Sequence, residues 1–201
     1  MDAITYQIGN SLYLNITNRC LNQCQFCIRN KTRQLNKQFP LWLDKEPSVE
    51  EVIAAIGDPS KYEQIVFCGY GEPLIRLEEV KEIAKALKLK GAMVRIDTNG
   101  LANLFWGRNI LPELAGLVDI ISVSLNADNA NTYDKICASF YGLAAFDAVV
   151  DFIREANIFI PRVEATIVDL PMIDHEKARQ IVAGLGASFR VRSYYEESYV
   201  V

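Results

Sequence analysis

The chain has 201 residues, half of them hydrophobic, and carries a formal net charge of −4 with an isoelectric point near 5.2. This length and apolar content suffice for a buried core, and we expect a single domain over residues 1–201. The acidic balance disfavours nucleic acid and anionic membrane surfaces as partners. The sequence shows neither a secretory leader nor an apolar stretch of bilayer-spanning length, so we expect a cytoplasmic protein.

Short apolar, β-branched stretches alternate along the chain with longer stretches that have helical spacing. The predicted strands lie at residues 11–17, 64–69, 92–98, 119–125, 163–168 and 188–192. Several are almost continuously apolar, which is typical of a parallel sheet covered on both faces. The predicted helices lie at residues 48–56, 77–89, 144–156 and 174–184, with a shorter one after Asn131.

Local signals support these helices. Ser48 and Glu51 have the spacing of a capping box, and Gly57 and Gly91 stand where helices are expected to stop. Six strand-helix repeats are too few for a closed eightfold barrel, so the sequence predicts an α/β fold, an open partial (β/α)6 barrel with a mainly parallel sheet. A doubly wound open sheet is the alternative. In both folds the functional groups gather beyond the carboxyl ends of the strands.

A loop directly after the first predicted strand contains three cysteines within eight residues: Cys20, Cys24 and Cys27. In an intracellular chain this spacing favours metal binding over disulfides. Structural zinc usually takes four protein ligands, and the single histidine, His175, lies far along the chain on a predicted helix. A 4Fe-4S cluster on three cysteines leaves one iron open to a small chelating molecule. The spacing alone still allows zinc, or an electron-transfer cluster completed by Cys68 or Cys137.

The C-x3-C-x-aromatic-C arrangement of Cys20, Cys24, Phe26 and Cys27 resembles the signature of the radical S-adenosylmethionine (SAM) superfamily. After the second predicted strand comes Gly69-Tyr70-Gly71-Glu72-Pro73, which is similar to the superfamily's Gly-Gly-Glu-Pro motif with Tyr70 in place of the second glycine and one residue inserted. The segments 97–100 and 122–127 also resemble superfamily strand ends. The resemblance extends from the first predicted strand to the last.

This resemblance implies an oxygen-sensitive 4Fe-4S cluster held by the three loop cysteines, with S-adenosyl-L-methionine chelating the open iron. The loop of Gly69, Tyr70, Gly71 and Glu72 is then expected to receive the amino end of SAM, because glycines permit close backbone approach and a carboxylate pairs with an ammonium group. The remaining SAM contacts implied by the resemblance are Thr98 and Ser124 for the carboxylate, Asn126 for the ribose, and Phe26 and Val168 for the adenine.

The implied function is reductive cleavage of SAM to a 5′-deoxyadenosyl radical, which abstracts hydrogen from an unidentified substrate. An external electron donor of the flavodoxin or ferredoxin type is implied, and the substrate is either a small molecule or a peptide or protein. Two alternatives stay open: an activase that installs a glycyl radical on a partner protein, and a non-catalytic iron-sulfur protein for electron transfer or binding.

Within the superfamily the chain looks most like the short TatD-associated radical SAM proteins. The segments that carry this narrower resemblance are 41–43, 67–73, 98–104 and 191–195. Arg192 is either an anion contact or a surface ion pair. We interpret Cys68 and Cys137 as core or partly buried thiols and His175 as part of an exposed helix start. The basic segment 29–37 is interpreted as a solvated connection, with a phosphate-binding lid as the alternative.

Overall fold

The computed structural model describes residues 3–35 and 39–194, so Lys37 and Tyr195 lie outside the described residues. The strands are β1 (Thr5–Ile8), β2 (Ser11–Leu14), β3 (Gln34–Leu35), β4 (Phe39–Pro40), β5 (Gln64–Phe67), β6 (Val94–Thr98), β7 (Ile120–Ser124), β8 (Arg162–Val168) and β9 (Ser188–Arg192). The α-helices are α1 (Val49–Ile56), α2 (Leu77–Leu89), α3 (Ala102–Trp106), α4 (Leu111–Leu114), α5 (Ala130–Cys137), α6 (Ala144–Phe159) and α7 (His175–Leu185).

Seven strands form one sheet in the order β1-β2-β5-β6-β7-β8-β9, and all neighbours from β2 to β9 are parallel. The six predicted strands are therefore present, in the predicted order. Each parallel strand lies beside its predecessor, whereas a doubly wound sheet reverses its direction of growth part-way. The two ends of the sheet do not pair within the described residues. The open partial barrel is confirmed and the doubly wound alternative is wrong.

The two faces of the sheet differ in chemistry because side chains alternate along each strand. In β6, Val94 and Ile96 are buried in the hydrophobic core. On the other face Arg95 pairs with Asp97 at 2.7 Å, and Arg190 of β9 pairs with Glu164 of β8 at 2.8 Å. The largest fully buried side chains of the chain are Tyr133, Phe67 and Phe152. One face thus supplies packing energy, while charged and polar side chains line the other.

The helix predictions hold closely. The capping box is present: the Glu51 N–H donates to Ser48 Oγ at 3.2 Å, and the Ser48 N–H donates to the Glu51 carboxylate at 2.8 Å. Gly57 ends α1 with a φ of 65°. His175 is the first residue of α7 and is partly exposed, as predicted. Among residues 3–35 and 39–194, no helix has the length and apolar character needed to cross a membrane.

Several elements were not predicted. The antiparallel edge strand β1, the short β3 and β4 pair, and the helices α3 and α4 are absent from the prediction. The first predicted strand ends at Leu14 rather than Thr17, and the second at Phe67 rather than Gly69. Beyond these strand ends the Asn15 side chain donates to the carbonyl of Leu41 and accepts from the Tyr70 N–H, so it links the two loops that follow the strands.

Candidate functional site

A cavity of about 290 Å³ lies at the carboxyl ends of the parallel strands. This volume is at the lower end of the range for small-molecule sites. All the residues that the sequence predicts for the site line it: Cys20, Cys24, Phe26, Cys27, Gly69, Tyr70, Gly71, Glu72, Thr98, Ser124, Asn126 and Val168. Residues separated by up to about three quarters of the chain are therefore brought to one place by the parallel sheet.

The cysteine loop is fixed against α5. The Gln23 N–H donates to the carbonyl of Cys137 at 2.9 Å, and the Gln25 N–H donates to that of Ile136, also at 2.9 Å. Asn22 adds a side-chain bond from its Nδ2 to the hydroxyl of Tyr133 at 2.9 Å. Because α5 follows β7, these bonds hold the loop after β2 beside the end of β7.

The start of the basic segment supports the same loop. Arg29 donates to the carbonyls of Asn18 and Asn22 at 3.1 and 2.9 Å. Lys31 donates to the hydroxyl of Tyr194 at 2.8 Å, and the Arg33 guanidinium lies 5.0 Å from the ring centre of Trp42. These contacts attach residues 29–33 to the cysteine loop and its surroundings, while Lys31 and Arg33 stay exposed to solvent.

The three loop thiols are partly exposed towards the cavity and otherwise buried. Burial raises the pKa of Cys20 to about 11. The pKa of Cys24 is raised first by a hydrogen bond with the buried thiol of Cys137 and then by burial, and burial also raises the pKa of Cys27. The thiols are thus protonated at neutral pH in the metal-free chain, and binding of a metal centre releases their protons.

The loop thiols are not arranged around one point. No group of three histidine, cysteine, aspartate or glutamate side chains within residues 3–35 and 39–194 is close enough to hold a single metal ion. In an iron-sulfur cluster each cysteine binds its own iron, so cluster ligands do not need to meet at one ion.

Glu72 forms the base of the cavity and is only 2% exposed. Its Oε1 accepts hydrogen bonds from the Leu74 N–H at 3.1 Å and the Thr98 hydroxyl at 2.8 Å, and its Oε2 accepts one from the Asn99 N–H at 2.7 Å. Burial raises the pKa of Glu72 to about 7, although these donors act in the opposite direction. The carboxylate therefore joins the loop after β5 to the end of β6.

The glycines beside Glu72 are required by close contact with the end of β2. A Cβ on Gly69 would lie 2.1 Å from Oδ1 of Asn15, and a Cβ on Gly71 would lie 2.4 and 2.5 Å from the carbonyl oxygens of Thr17 and Arg19. The space that the missing side chains leave is thus filled by the segment that leads into the cysteine loop.

Tyr70, which replaces a glycine of the superfamily motif, is accommodated in a separate small cluster. Its ring packs with Tyr6 and Leu41 and is 4% exposed. Its hydroxyl donates to the carbonyl of Thr32 at 2.9 Å. Tyr70 therefore attaches the basic segment to the loop after β5. Residues 69–72 of that loop still line the cavity.

The end of β7 carries a second polar group of residues. Asn126 is buried and has a φ of 55°, a left-handed conformation that is uncommon for residues other than glycine. Its N–H donates to the carbonyl of Thr166 at 3.1 Å, and its Oδ1 accepts from Nη2 of Arg192 at 3.1 Å. The same Nη2 lies 3.5 Å from Oγ of Ser124. Arg192 is therefore part of the cavity wall and not a surface ion pair.

Sequence reasoning did not assign several other residues that line the cavity: Asn22, Ile28, Cys68, Asp97, Asn99, Ser122, Thr166, Arg190, Ser193 and Tyr194. Asn99 supports the cysteine loop, because its Nδ2 lies 3.8 Å from Sγ of Cys20. Its position directly after a predicted strand was the available signal. Asn22 had no such signal, since its partner Tyr133 is 111 residues away. Cys137 is fully buried, as expected of a core thiol.

The family model for the radical SAM superfamily matches residues 14–183 of the chain. The chain belongs to the radical SAM superfamily. The match covers the cysteine loop and strands β5 to β8 with their cavity-lining ends, but only the last residue of β2 and none of β9. Membership identifies an enzyme and implies SAM and an iron-sulfur cluster as its cofactors, together with a source of electrons and a substrate. The narrower TatD-associated assignment stays a prediction.

Two solved structures show the same fold at low sequence identity. SuiB of Streptococcus suis, solved with the precursor peptide SuiA, superposes with a TM-score of 0.69 at 13% identity, over 96% of this chain and 41% of that one. The methylornithine synthase PylB superposes with a TM-score of 0.60 at 16% identity, over 92% of this chain and 53% of that one. The chain thus spans less than two thirds of either protein. No curated protein matches its sequence significantly.

Proposed function

We propose that Cys20, Cys24 and Cys27 hold a 4Fe-4S cluster and that the enzyme cleaves SAM to methionine and a 5′-deoxyadenosyl radical. The radical then abstracts hydrogen from a substrate that is not yet identified. The observation that carries this proposal is the convergence of the three thiols and the ends of β5, β6, β7 and β8 on one cavity. The bound cluster and SAM supply the redox and radical chemistry, and the protein orients them.

The residues of the cavity fit these cofactors. The loop supplies three thiols, and the cavity wall also carries Oδ1 of Asn22, a buried acceptor without a hydrogen-bond partner. Buried acceptors normally find a donor, so such a group indicates space for a polar ligand. The loop is held rigidly by α5 and Arg29, which favours a preformed site.

In this proposal the SAM contacts are those of the sequence prediction except for Thr98. The loop from Gly69 to Glu72 receives the amino end, and Ser124 and Asn126 contact the carboxylate and the ribose. Thr98 acts through Glu72, because its only hydroxyl proton is donated to that carboxylate. The adenine is placed between Phe26 and Val168, both of which line the cavity.

One-electron cleavage requires an external reductant, and we propose a donor of the flavodoxin or ferredoxin type. In this proposal the substrate is a small molecule, a peptide or a protein. SuiB was solved with a precursor peptide and PylB is a synthase, but at 13% and 16% identity these likenesses concern the fold alone. The substrate must therefore be identified by experiment.

The test uses anaerobically reconstituted protein, reduced with dithionite and supplied with SAM. We expect 5′-deoxyadenosine, detected by chromatography and mass spectrometry. The Cys24→Ala variant should lose both the product and the spectroscopic signal of the reduced cluster, because one iron loses its ligand. Cys68→Ala is the matched control, since it removes a thiol from the same cavity but not from the loop. It should retain the iron content of the parent.

Two results would contradict the proposal. An unchanged cluster signal in Cys24→Ala would remove that residue from the ligand set. An intact, reducible cluster that yields no 5′-deoxyadenosine, in the presence and absence of cell extract as a source of substrate, would favour the electron-transfer alternative instead.

A further inference from the structure

Arg192 is a charged side chain inside the cavity that lacks a carboxylate partner. Its Nε is buried and forms no hydrogen bond. Its Nη2 contacts only neutral acceptors, Oδ1 of Asn126 at 3.1 Å and, at the limit of hydrogen bonding, Oγ of Ser124 at 3.5 Å. Within residues 3–35 and 39–194 no carboxylate oxygen lies within ion-pair distance of its guanidinium.

Two other charged side chains of the cavity wall, Arg190 and Asp97, are already paired. Arg190, two residues earlier on β9, forms two hydrogen bonds of 2.8 Å with Glu164. Asp97 is the carboxylate that acts most strongly on Arg192 through space, but it pairs with Arg95 at 2.7 Å. Burial lowers the pKa of Arg192, yet a guanidinium stays charged at any physiological pH. Glu72, the remaining carboxylate of the wall, accepts its hydrogen bonds from Leu74, Thr98 and Asn99, so Arg192 has no carboxylate partner among the described residues.

An unpaired charge inside a protein lowers the stability of the fold. The sequence places this charge where a bound anion would offset that cost, at the carboxyl end of the last strand. A guanidinium also has the planar donor geometry that carboxylates and phosphates accept.

We propose that Arg192 binds an anionic group of the substrate, a carboxylate or a phosphate, beside the SAM site. This inference rests on the proposed function and adds the substrate class. Arg192 donates to Asn126, the residue assigned to the ribose, and the reactive 5′ carbon is attached to that ribose. With SAM bound as proposed, an anion held by Arg192 would keep its carrier near the ribose end of SAM.

The carboxylate of SAM is the competing source of the anion. Ser124, which is assigned to that carboxylate, lies 3.5 Å from Arg192, whereas Asn126 is closer at 3.1 Å. Glu72 and Thr98, which line the region assigned to the amino acid end of SAM, have no hydrogen bond with Arg192 among the described residues. The geometry favours the substrate, and the two sources differ in a measurable way.

The experiment measures two affinities on reconstituted protein: that for SAM by equilibrium dialysis, and that for acetate and inorganic phosphate by calorimetry with SAM bound. In Arg192→Gln we expect at least about a tenfold loss of anion affinity, because hydrogen bonds to a charged group are removed, and SAM affinity within about twofold of the parent. Arg190→Gln is the matched control and should retain anion binding, since its guanidinium is occupied by Glu164. Circular dichroism checks that each variant is folded.

Two outcomes would overturn the inference. If neither acetate nor phosphate binds the parent, or if Arg192→Gln binds them equally well, no anion site exists at this residue. If Arg192→Gln instead loses SAM affinity by tenfold or more, the anion is the carboxylate of SAM. A failure of the proposed function itself is distinguishable, because the parent would then form no 5′-deoxyadenosine whatever its anion affinity.

Discussion

At the scale of single residues, Glu72 illustrates two opposing effects on one carboxylate. Three donors, the N–H groups of Leu74 and Asn99 and the hydroxyl of Thr98, stabilise its ionised form. Burial favours the neutral form and is the larger effect, so the pKa is raised to about 7. Ionising Glu72 in the metal-free protein is therefore electrostatically unfavourable. An ammonium group in the cavity would make this ionisation more favourable.

This balance predicts a pH dependence of stability. The pKa of Glu72 rises from 4.5 in the unfolded chain to about 7 in the folded one, so the folded state binds the extra proton between these values. The unfolding free energy contributed by Glu72 is therefore highest below pH 4.5 and falls by roughly 3 kcal/mol as the pH rises to 7. In Glu72→Gln this decrease should be absent.

Urea unfolding of metal-free protein between pH 5 and pH 8 measures the effect, as the difference between parent and variant. The exposed Glu82→Gln is the matched control for the loss of a carboxylate and should follow the parent. If Glu72→Gln shows the same decrease as the parent, Glu72 is ionised throughout and the hydrogen bonds outweigh its burial.

At the scale of elements, the loop after β5 and the loop after β2 are in direct backbone contact. The Glu72 N–H donates to the carbonyl of Arg19 at 2.7 Å, and Gly71 lies against that carbonyl and the carbonyl of Thr17. Arg19 immediately precedes Cys20. The glycine loop therefore fixes the position of the cysteine loop, in addition to any contact with SAM.

Two glycine substitutions distinguish the positioning of the cysteine loop from the general effect of replacing glycine on backbone entropy. In Gly71→Ala the new methyl group would lie 2.4 Å from a backbone oxygen, so the loops must move apart. We expect a loss of stability of about 1–3 kcal/mol and a lower iron content after reconstitution. Gly184→Ala is the control: it lies within α7 and has no atom within 4 Å of the new Cβ, so we expect a gain of about 0.5–1 kcal/mol.

Urea unfolding and iron analysis of both variants test this prediction. Equal stability and iron content in Gly71→Ala and the parent would mean that the two loops separate without cost. The role of the glycine loop in positioning the cysteines would then be wrong.

Some helices and strands were predictable from the sequence and others were not. Helices with strong end signals, such as α1 with its capping box and α2 between Leu77 and Leu89, were predicted closely. The hairpin of β1 and β2 was missed, although Gly9 and Asn10 form a two-residue turn that is a recognised hairpin signal. The short helices α3 and α4 have five and four residues, too few to show helical periodicity.

At the scale of the whole molecule, the location of the site was predictable and its internal contacts were not. Parallel strands carry their following residues to one edge of the sheet, so the order of strands was enough to bring Cys20, Glu72 and Asn126 together. The bond from Asn22 to Tyr133 and the position of Arg192 depend on side-chain orientation across long sequence separations. Local pattern does not encode such contacts.

Arg76 is another long-range contact of this kind, and it joins three parts of the molecule. It is 7% exposed. Its Nη1 donates to the carbonyl of Ile16 at 2.9 Å and to that of Pro47 at 2.8 Å, while its Nη2 pairs with Glu79 of α2 at 2.9 Å. The segment after β2, the entry to α1 and the first turn of α2 thus share one guanidinium.

Replacing Arg76 by methionine should destabilise the whole domain. The change keeps much of the side-chain volume but leaves two buried carbonyls without their donor, for which we expect a loss of about 3–5 kcal/mol in the unfolding free energy. Arg154→Met is the control, because Arg154 is exposed and, among the described residues, pairs only with Asp151 in the adjacent turn of α6. It should cost less than about 1 kcal/mol. Since Ile16 lies four residues before Cys20, Arg76→Met should also lower the iron content. Urea unfolding with iron analysis measures both effects, and a variant as stable as Arg154→Met would show that the three segments are held together without Arg76.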